Sequence, residues 1–179
     1  MKKVKIEKLT HFPSETPAQE KLGSLLEWAG ITTETYSHPP IFTVEEGLAL
    51  DLPNHIYGLH GKSLFLVTPH NQYWLVLVVE TTRVDLKSLA LKMGVKRFSF
   101  AKPDKMIELL GIASGSATPF ALMTDEKRQV NVVIDKTYLN ATHAVFHPLD
   151  NRFSTIIQVS DLIKFIEGLG YEPKICALA

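Results

Sequence analysis

Residues 62–80 have the sequence KSLFLVTPHNQYWLVLVVE. The turn-forming cluster Thr68 to Asn71 separates two apolar stretches, so the sequence predicts two strands, Lys62 to Val67 and Tyr73 to Glu80. The second strand contains the longest apolar run of the chain, Trp74 to Val79. A run without polar alternation is typical of a strand that is buried on both faces. The stretch therefore predicts that a sheet lies at the centre of the fold.

Helices are predicted on both sides of this stretch, each after a capping residue or a proline and with apolar residues at helical spacing. They start at Thr16-Pro17, Thr43, Asp85, Pro103 and Ser160. Further strands are predicted at Thr32 to Tyr36, Phe120 to Met123, Val130 to Ile134, Ala144 to Phe146 and Thr155 to Val159. The second and third of these strands are expected to form a hairpin. Because strands and helices do not alternate regularly, we expect a single α+β domain in which peripheral helices pack around a mixed sheet or a partly closed barrel.

The composition is that of an ordinary globular protein. Of the 179 residues, 45% are hydrophobic and 21% are charged, which excludes an intrinsically disordered chain. The formal net charge is zero, so a nucleic-acid partner would have to be bound locally rather than by bulk attraction. The single cysteine, Cys176, excludes an intramolecular disulfide. No targeting segment is visible and no apolar run reaches the ~20 residues of a membrane span, so a cytoplasmic protein without membrane contact is expected.

The residue types that most often carry catalysis form no recognised pattern. His143 and His147 are four residues apart, but their surroundings are strand-like, so no metal site is expected. Ser114-Gly115-Ser116 is not a nucleophile elbow, and Cys176 is expected to be an inert thiol. No cofactor is expected.

The loop Gly111 to Pro119 is rich in small residues, which leave backbone N–H groups unobstructed. Such a loop can hold an anion or an ester carbonyl oxygen. The alternative is a plain connector whose glycines permit tight turning. Lys62 leaves a similar choice, because it either points from a sheet edge into a cleft or is a solvated edge charge.

Four segments taken together resemble the YbaK-like, prolyl-tRNA-synthetase-associated editing domains, and in particular their PrdX or alanyl-tRNA(Pro) deacylase branch. They are Tyr36 to Glu46, Gly58 to Leu66, Gly115 to Phe120 and Phe146 to Leu149. The resemblance extends in order over nearly the whole chain. It implies an α+β fold with a mixed, partly barrel-like sheet and peripheral helices. It also implies an editing domain at 16–173, preceded by an N-terminal extension, 1–15, and followed by a C-terminal tail, 174–179.

The resemblance also implies roles for individual residues of a metal-independent aminoacyl-tRNA hydrolase. Lys62 would contact the terminal adenosine of tRNA rather than act as a nucleophile, and the loop that begins at Gly115 would donate backbone N–H groups to the ester carbonyl. His147 would orient the attacking water or bind the α-amino group, with a packed structural histidine as the alternative. The remaining residues expected at the substrate are Phe42, Thr43, Ser63, Ser116, Ala117, Thr118 and Pro119.

The implied reaction is hydrolysis of the aminoacyl ester on mischarged tRNA(Pro), with alanine as the expected error. Family members commonly carry His-Thr-Lys-Asn where this chain has His60-Gly61-Lys62-Ser63. Two alternatives therefore stay open, namely the removal of cysteine or another small amino acid, and a non-catalytic module that binds an amino acid or an RNA end. The expected partners are the acceptor end of tRNA(Pro) and prolyl-tRNA synthetase.

Overall fold

The computed structural model describes residues 5–178. The α-helices of this part of the chain are α1 (Pro17–Trp28), α2 (Val44–Ala49), α3 (Leu52–His55), α4 (Leu86–Met93), α5 (Pro103–Leu110) and α6 (Val159–Gly168). The strands are β1 (Glu7–Lys8), β2 (Thr33–Ser37), β3 (Leu59–Val67), β4 (Tyr73–Val79), β5 (Ser99–Phe100), β6 (Val130–Asp135), β7 (His143–Phe146), β8 (Phe153–Gln158) and β9 (Lys174–Cys176). Two 3₁₀ helices cover Pro119–Thr124 and Lys136–Asn140.

The strands form one mixed sheet in the order β1-β2-β8-β7-β3-β4-β6-β9, and β5 pairs with β3 away from this path. The β3–β7, β4–β6 and β6–β9 pairs are parallel, and the other pairs are antiparallel. The sheet is therefore mixed and lacks the regular strand–helix alternation of a doubly wound fold. The predicted α+β domain with a mixed sheet and peripheral helices is confirmed.

Strand β4 is buried on both faces, as its apolar run predicts. Leu75 and Leu77 pack into a core with α1, α5 and α6, whereas Val76 and Val78 pack into a second core with α4. All four side chains are fully buried. Period-2 alternation places successive side chains on opposite faces, so a strand covered on both sides must be apolar throughout.

The predicted helix starts are largely confirmed, because the capping chemistry is local. The Thr16 and Thr43 hydroxyls accept hydrogen bonds from the N–H groups of Gln19 and Glu46, and the Glu46 carboxylate completes a capping box. The predicted cap at Ser160 is wrong. Helix α6 begins at Val159, after an N-cap residue that makes no side-chain capping bond.

The predicted hairpin between Phe120 to Met123 and Val130 to Ile134 is also wrong. The first segment lies in the 3₁₀ helix Pro119–Thr124, and β6 pairs in parallel with β4 instead. Thr118 caps this helix by accepting the Phe120 N–H. A short apolar run that is buried on every side does not by itself distinguish a strand from a helical turn.

The segments on either side of the predicted domain, 16–173, each contribute a strand to the sheet. Strand β1 pairs with β2, and β9 pairs with β6. The domain boundaries stay a prediction. Within residues 5–178, none of the helices is both long and apolar enough to cross a membrane.

Candidate active site

A cleft of about 390 Å³ opens beside β3, where the sheet has a gap. On this edge, β3 pairs with β7 at Leu59 and His60 and with β5 at Leu66 and Val67. The intervening residues, 61–65, pair with β4 on their other edge, but on this edge no strand among residues 5–178 pairs with them and they line the cleft. The opposite walls come from the start of α2, from the loop that follows α5 and from the end of β7.

The cleft brings together most of the residues predicted at the site. Its lining includes Lys62, Gly115, His147, Phe42, Thr43, Ser63 and Ala117. Three other predicted residues, Ser116, Thr118 and Pro119, are not part of the lining. The roles assigned to all of these residues stay predictions, but one cavity joins segments that are far apart in the sequence.

The imidazole of His147 is held in one tautomer. Its Nδ1 lies 2.8 Å from the Phe153 carbonyl oxygen, which can only accept, so Nδ1 donates and Nε2 is the acceptor of the neutral ring. Burial lowers the pKa of His147 below its ordinary value of 6.5. At neutral pH the ring is therefore uncharged and can accept a hydrogen bond.

A second histidine, His38, lies next to His147 but outside the lining of the cleft. His38 is buried, donates from Nδ1 to the Pro39 carbonyl and accepts at Nε2 from the Ser154 hydroxyl at 2.9 Å. Its ring centroid lies 6.4 Å from that of His147. Burial lowers the pKa of His38, so both rings are neutral at pH 7. The sequence alone assigns no role to His38, because its partner Ser154 is 116 residues away along the chain.

Lys62 shares one face of the sheet with a carboxylate that sequence analysis missed. Glu80 lies directly opposite His60 in the hairpin, since the Glu80 N–H donates to the His60 carbonyl at 2.9 Å. Lys62 follows two residues after His60 and therefore projects to the same side. Burial raises the pKa of the Glu80 carboxyl above 4.5, while His60 and Lys62 act in the opposite direction. No carboxylate among residues 5–178 forms an ion pair with Lys62.

The loop after α5 has an open backbone at Gly115. Its φ of +86° lies in the left-handed region, and apart from its two chain neighbours no atom of residues 5–178 lies within 4 Å of the position that a Cβ would occupy. The buried Thr118 fastens the loop to the opposite wall, because its hydroxyl donates to the His147 carbonyl at 2.7 Å. Thr118 thereby couples the positions of the loop and of His147.

Two exposed aromatic rings stand at the mouth of the cleft. Phe42 and Phe100 both line it and are 68% and 64% exposed. Large apolar side chains with this exposure offer flat surfaces on which a nucleobase can stack. Thr43, beside Phe42, uses its hydroxyl to cap α2.

The packing around Gly61 explains why this chain has glycine where the editing domains it resembles commonly have threonine. A Cβ at this position would come far inside van der Waals contact with the Phe146 ring and the Tyr138 hydroxyl. That hydroxyl donates to the Val78 carbonyl at 3.0 Å, so it is fixed in place. The space that a threonine would fill is occupied by Tyr138 and Phe146.

Gly61→Ala is therefore expected to destabilise the protein by about 1–3 kcal/mol, because the added methyl group overpacks a rigid contact. Urea unfolding measures the change. Gly168→Ala is the matched control, since a Cβ there meets no other atom of the described part of the chain within 4 Å and alanine favours the helix. Equal free energies of unfolding for the wild type and Gly61→Ala would contradict the packing argument.

The chain is similar to proteins of one family. Residues 38–165 match the family model of the aminoacyl-tRNA editing domain. The chain is 35% identical to the prolyl-tRNA synthetase associated domain-containing protein 1 of Bos taurus over 148 residues, which cover 80% of this chain and 85% of the relative. It is 30% identical to the prolyl-tRNA editing protein ProX of Acetoanaerobium sticklandii over 154 residues, which cover 86% and 93% of the two chains.

A solved structure described as a candidate trans-editing enzyme for prolyl-tRNA synthetase has the same fold. It superposes with a TM-score of 0.68 at 20% identity and covers 92% of this chain and 98% of its own. The family match and the sequence identities show that this chain belongs to the aminoacyl-tRNA editing domain family, the class of aminoacyl-tRNA hydrolases that its sequence predicts.

Proposed function

We propose that this protein is a trans-editing deacylase that hydrolyses the ester of alanine mischarged on tRNA(Pro). The observation that carries the proposal is the single cleft that joins Lys62, the Gly115 loop and His147. The names of the relatives, which refer to prolyl-tRNA editing and to prolyl-tRNA synthetase, support tRNA(Pro) as the RNA. Prolyl-tRNA synthetase is the second partner that these names favour.

The proposed chemistry needs no strong nucleophile. An aminoacyl ester is already activated toward water, so holding the ester and a water molecule together supplies much of the rate. Backbone N–H groups of the Gly115 loop would polarise the ester carbonyl and stabilise the developing oxyanion. The open space above Gly115 supports this role, because the substrate oxygen can approach the backbone closely.

His147 would orient the attacking water. Its Nε2 is an acceptor in the tautomer that Phe153 fixes, and its lowered pKa keeps it in that form at neutral pH. The hydrogen bond between Thr118 and the His147 carbonyl would fix the distance between the water bound at His147 and the ester carbonyl bound by the Gly115 loop.

Lys62 and the two rings at the mouth would hold the terminal adenosine. The Lys62 ammonium would contact a phosphate or a ribose hydroxyl, and Phe42 and Phe100 would stack on the base. With a net charge of zero, binding would rest on such local contacts at the acceptor end of the RNA.

Alanine is the favoured substrate because a synthetase that charges proline discriminates weakly against smaller amino acids. A synthetase pocket shaped for proline gains only about 1–3 kcal/mol against a substrate that is smaller by a methylene or two. A second site that admits only small side chains can hydrolyse the mischarged alanyl-tRNA(Pro) that results. The cleft has apolar walls from Met106, Ala117 and Phe146, which suit an aliphatic side chain.

The deacylation rate is expected to fall at acid pH, because a protonated His147 can no longer accept a hydrogen bond. The pKa of His147 is lowered by burial, so the midpoint of this fall should lie below pH 6.5. His147→Ala should lose the acid limb and about tenfold in rate, the equivalent of one hydrogen bond. Single-turnover rates between pH 5 and 8 measure both effects.

The exposed His70, in the β3–β4 turn, provides the control for this pH profile. His70→Gln should keep the wild-type rate and midpoint. An unchanged acid limb in a folded His147→Ala protein would return His147 to a structural role.

Incubation with a panel of mischarged tRNA(Pro) species tests the proposed substrate. Release of alanine faster than cysteine supports the proposal, and the reverse order favours the cysteine alternative. Turnover of neither would favour a binding module. This outcome is included because the chain has Gly61 and Ser63 where the editing domains it resembles commonly have threonine and asparagine.

A further inference from the structure

The cleft gives access to the backbone of β3 as well as to its side chains. Residues 60–65 line it without interruption. Successive side chains of a strand point to opposite faces, so a cavity that touches six consecutive residues must lie at the strand's edge. The gap in the sheet between β7 and β5 is this edge.

Hydrogen bonds at the two ends of the hairpin fix which way each residue of β3 directs its backbone. The Glu80 N–H donates to the His60 carbonyl at 2.9 Å, and the Thr68 N–H donates to the Gln72 carbonyl at 3.0 Å. Hydrogen-bonded and non-hydrogen-bonded pairs alternate along an antiparallel ladder. The even-numbered residues of β3 therefore bond to β4, and the odd-numbered residues direct their N–H and C=O groups to the opposite edge.

Phe65 confirms this alternation, because its carbonyl accepts from the Ala101 N–H at 2.9 Å on the edge away from β4. Ser63 is the odd-numbered residue in the middle of the gap. No strand among residues 5–178 pairs with Ser63 on that side. Its backbone N–H and C=O therefore face the cleft as a free donor and a free acceptor.

An aminoacyl group has the matching pair of polar groups. In a hydrogen-bonded antiparallel pair, two residues exchange both N–H···O=C bonds. The α-ammonium of an aminoacyl ester is a donor and its carbonyl is an acceptor, and one Cα separates them as in a peptide residue. A single esterified amino acid can thus occupy the gap like a strand of one residue.

We propose that the backbone of Ser63 binds the aminoacyl group in this way, an inference that rests on the proposed function. The α-ammonium donates to the Ser63 carbonyl, and the ester carbonyl accepts from the Ser63 N–H. The second lone pair of that carbonyl remains available to the Gly115 loop. Recognition through the backbone requires a free α-amino group on the substrate, so aminoacyl esters are bound and N-acylated or peptidyl esters are not.

The test uses two stable adenosine derivatives in which an amide replaces the ester. One is 3′-deoxy-3′-(L-alanylamino)adenosine, and the other is the 3′-propionylamino analogue, which lacks only the amino group. The full chain, labelled with ¹⁵N, is titrated with each. We expect the propionyl analogue to bind about tenfold more weakly or worse, because a charge-assisted hydrogen bond is lost.

The backbone amide of Ser63 is the direct reporter. Its resonance should move, and its hydrogen exchange should slow, when the alanyl derivative binds. The amide of Leu66, which bonds to β4 and lies outside the cleft, should not respond. Ser63→Pro removes the free N–H at a position that the β3–β4 ladder does not use. The folded variant should bind the alanyl derivative about tenfold more weakly.

Equal affinities for the two derivatives, an unmoved Ser63 amide, or failure of both derivatives to bind would overturn the inference. These outcomes are separate from those of the proposed function. Amine-dependent binding at Ser63 without turnover of any mischarged tRNA would contradict the deacylase alone. Hydrolysis of alanyl-tRNA(Pro) with amine-independent binding would contradict the Ser63 site alone.

Discussion

Lys62→Ala is expected to lower the single-turnover rate of alanyl-tRNA(Pro) hydrolysis by about 10²-fold or more, because misplacement of the substrate by 1 Å already has such an effect. Lys62 lines the cleft, and its ammonium forms no ion pair with a carboxylate among residues 5–178, so it is available to hold a phosphate or a ribose hydroxyl. Lys62→Arg should keep part of the affinity, since the charge remains but the compact ammonium is replaced by a planar fork.

Lys87→Ala is the matched control, because Lys87 is an exposed lysine of α4, outside the cleft. It should leave the rate unchanged. We also expect that no aminoacyl adduct forms on Lys62 during turnover. A wild-type rate in folded Lys62→Ala, or an alanyl-lysine adduct detected by mass spectrometry, would contradict the assigned role.

Gly115→Ala is expected to lower the same rate by about 10²–10³-fold, the usual cost of losing one donor to an oxyanion. The space around Gly115 is open, so the effect is not a clash. A left-handed φ of +86° costs an alanine about 1–2 kcal/mol, and the loop can relieve that strain by rotating its N–H groups away from the carbonyl.

Gly94→Ala separates strain from catalysis. Gly94 ends α4 with a φ of +70°, and a Cβ there also meets none of the residues between 5 and 178 within 4 Å, its chain neighbours aside. This variant should lose a similar free energy of unfolding yet keep the wild-type rate of deacylation. If Gly115→Ala and Gly94→Ala hydrolyse alanyl-tRNA(Pro) equally well, the Gly115 loop does not bind the ester carbonyl.

The parts of the fold that sequence analysis predicted correctly depend on short-range chemistry. Capping residues such as Thr16 and Thr43 mark helix starts because their partners lie three residues away. The two-sided burial of β4 follows from its unbroken apolar run. The same reasoning fails at Phe120 to Met123, where a buried apolar run forms a 3₁₀ turn.

The parts of the site that sequence analysis missed depend on long-range pairing. Glu80 reaches the cleft because the hairpin register places it opposite His60. Phe100 reaches it because β5 pairs with the far end of β3. The gap that frees the Ser63 backbone exists because β7 and β5 pair with different ends of one strand. No local pattern in the sequence records this arrangement.

The proposed hydrolysis of alanyl-tRNA(Pro) is tested most directly by comparing alanine and proline on the same RNA. Wild-type protein is mixed in excess with tRNA(Pro) that carries radiolabelled alanine or proline. Release of the amino acid is followed in single-turnover mode, with Lys62→Ala as the impaired reference. We expect alanine to be released at least about 10²-fold faster than proline, since a site that admits only small side chains must spare the correct product. Equal release of both amino acids, or release of alanine no faster than with Lys62→Ala, would contradict it.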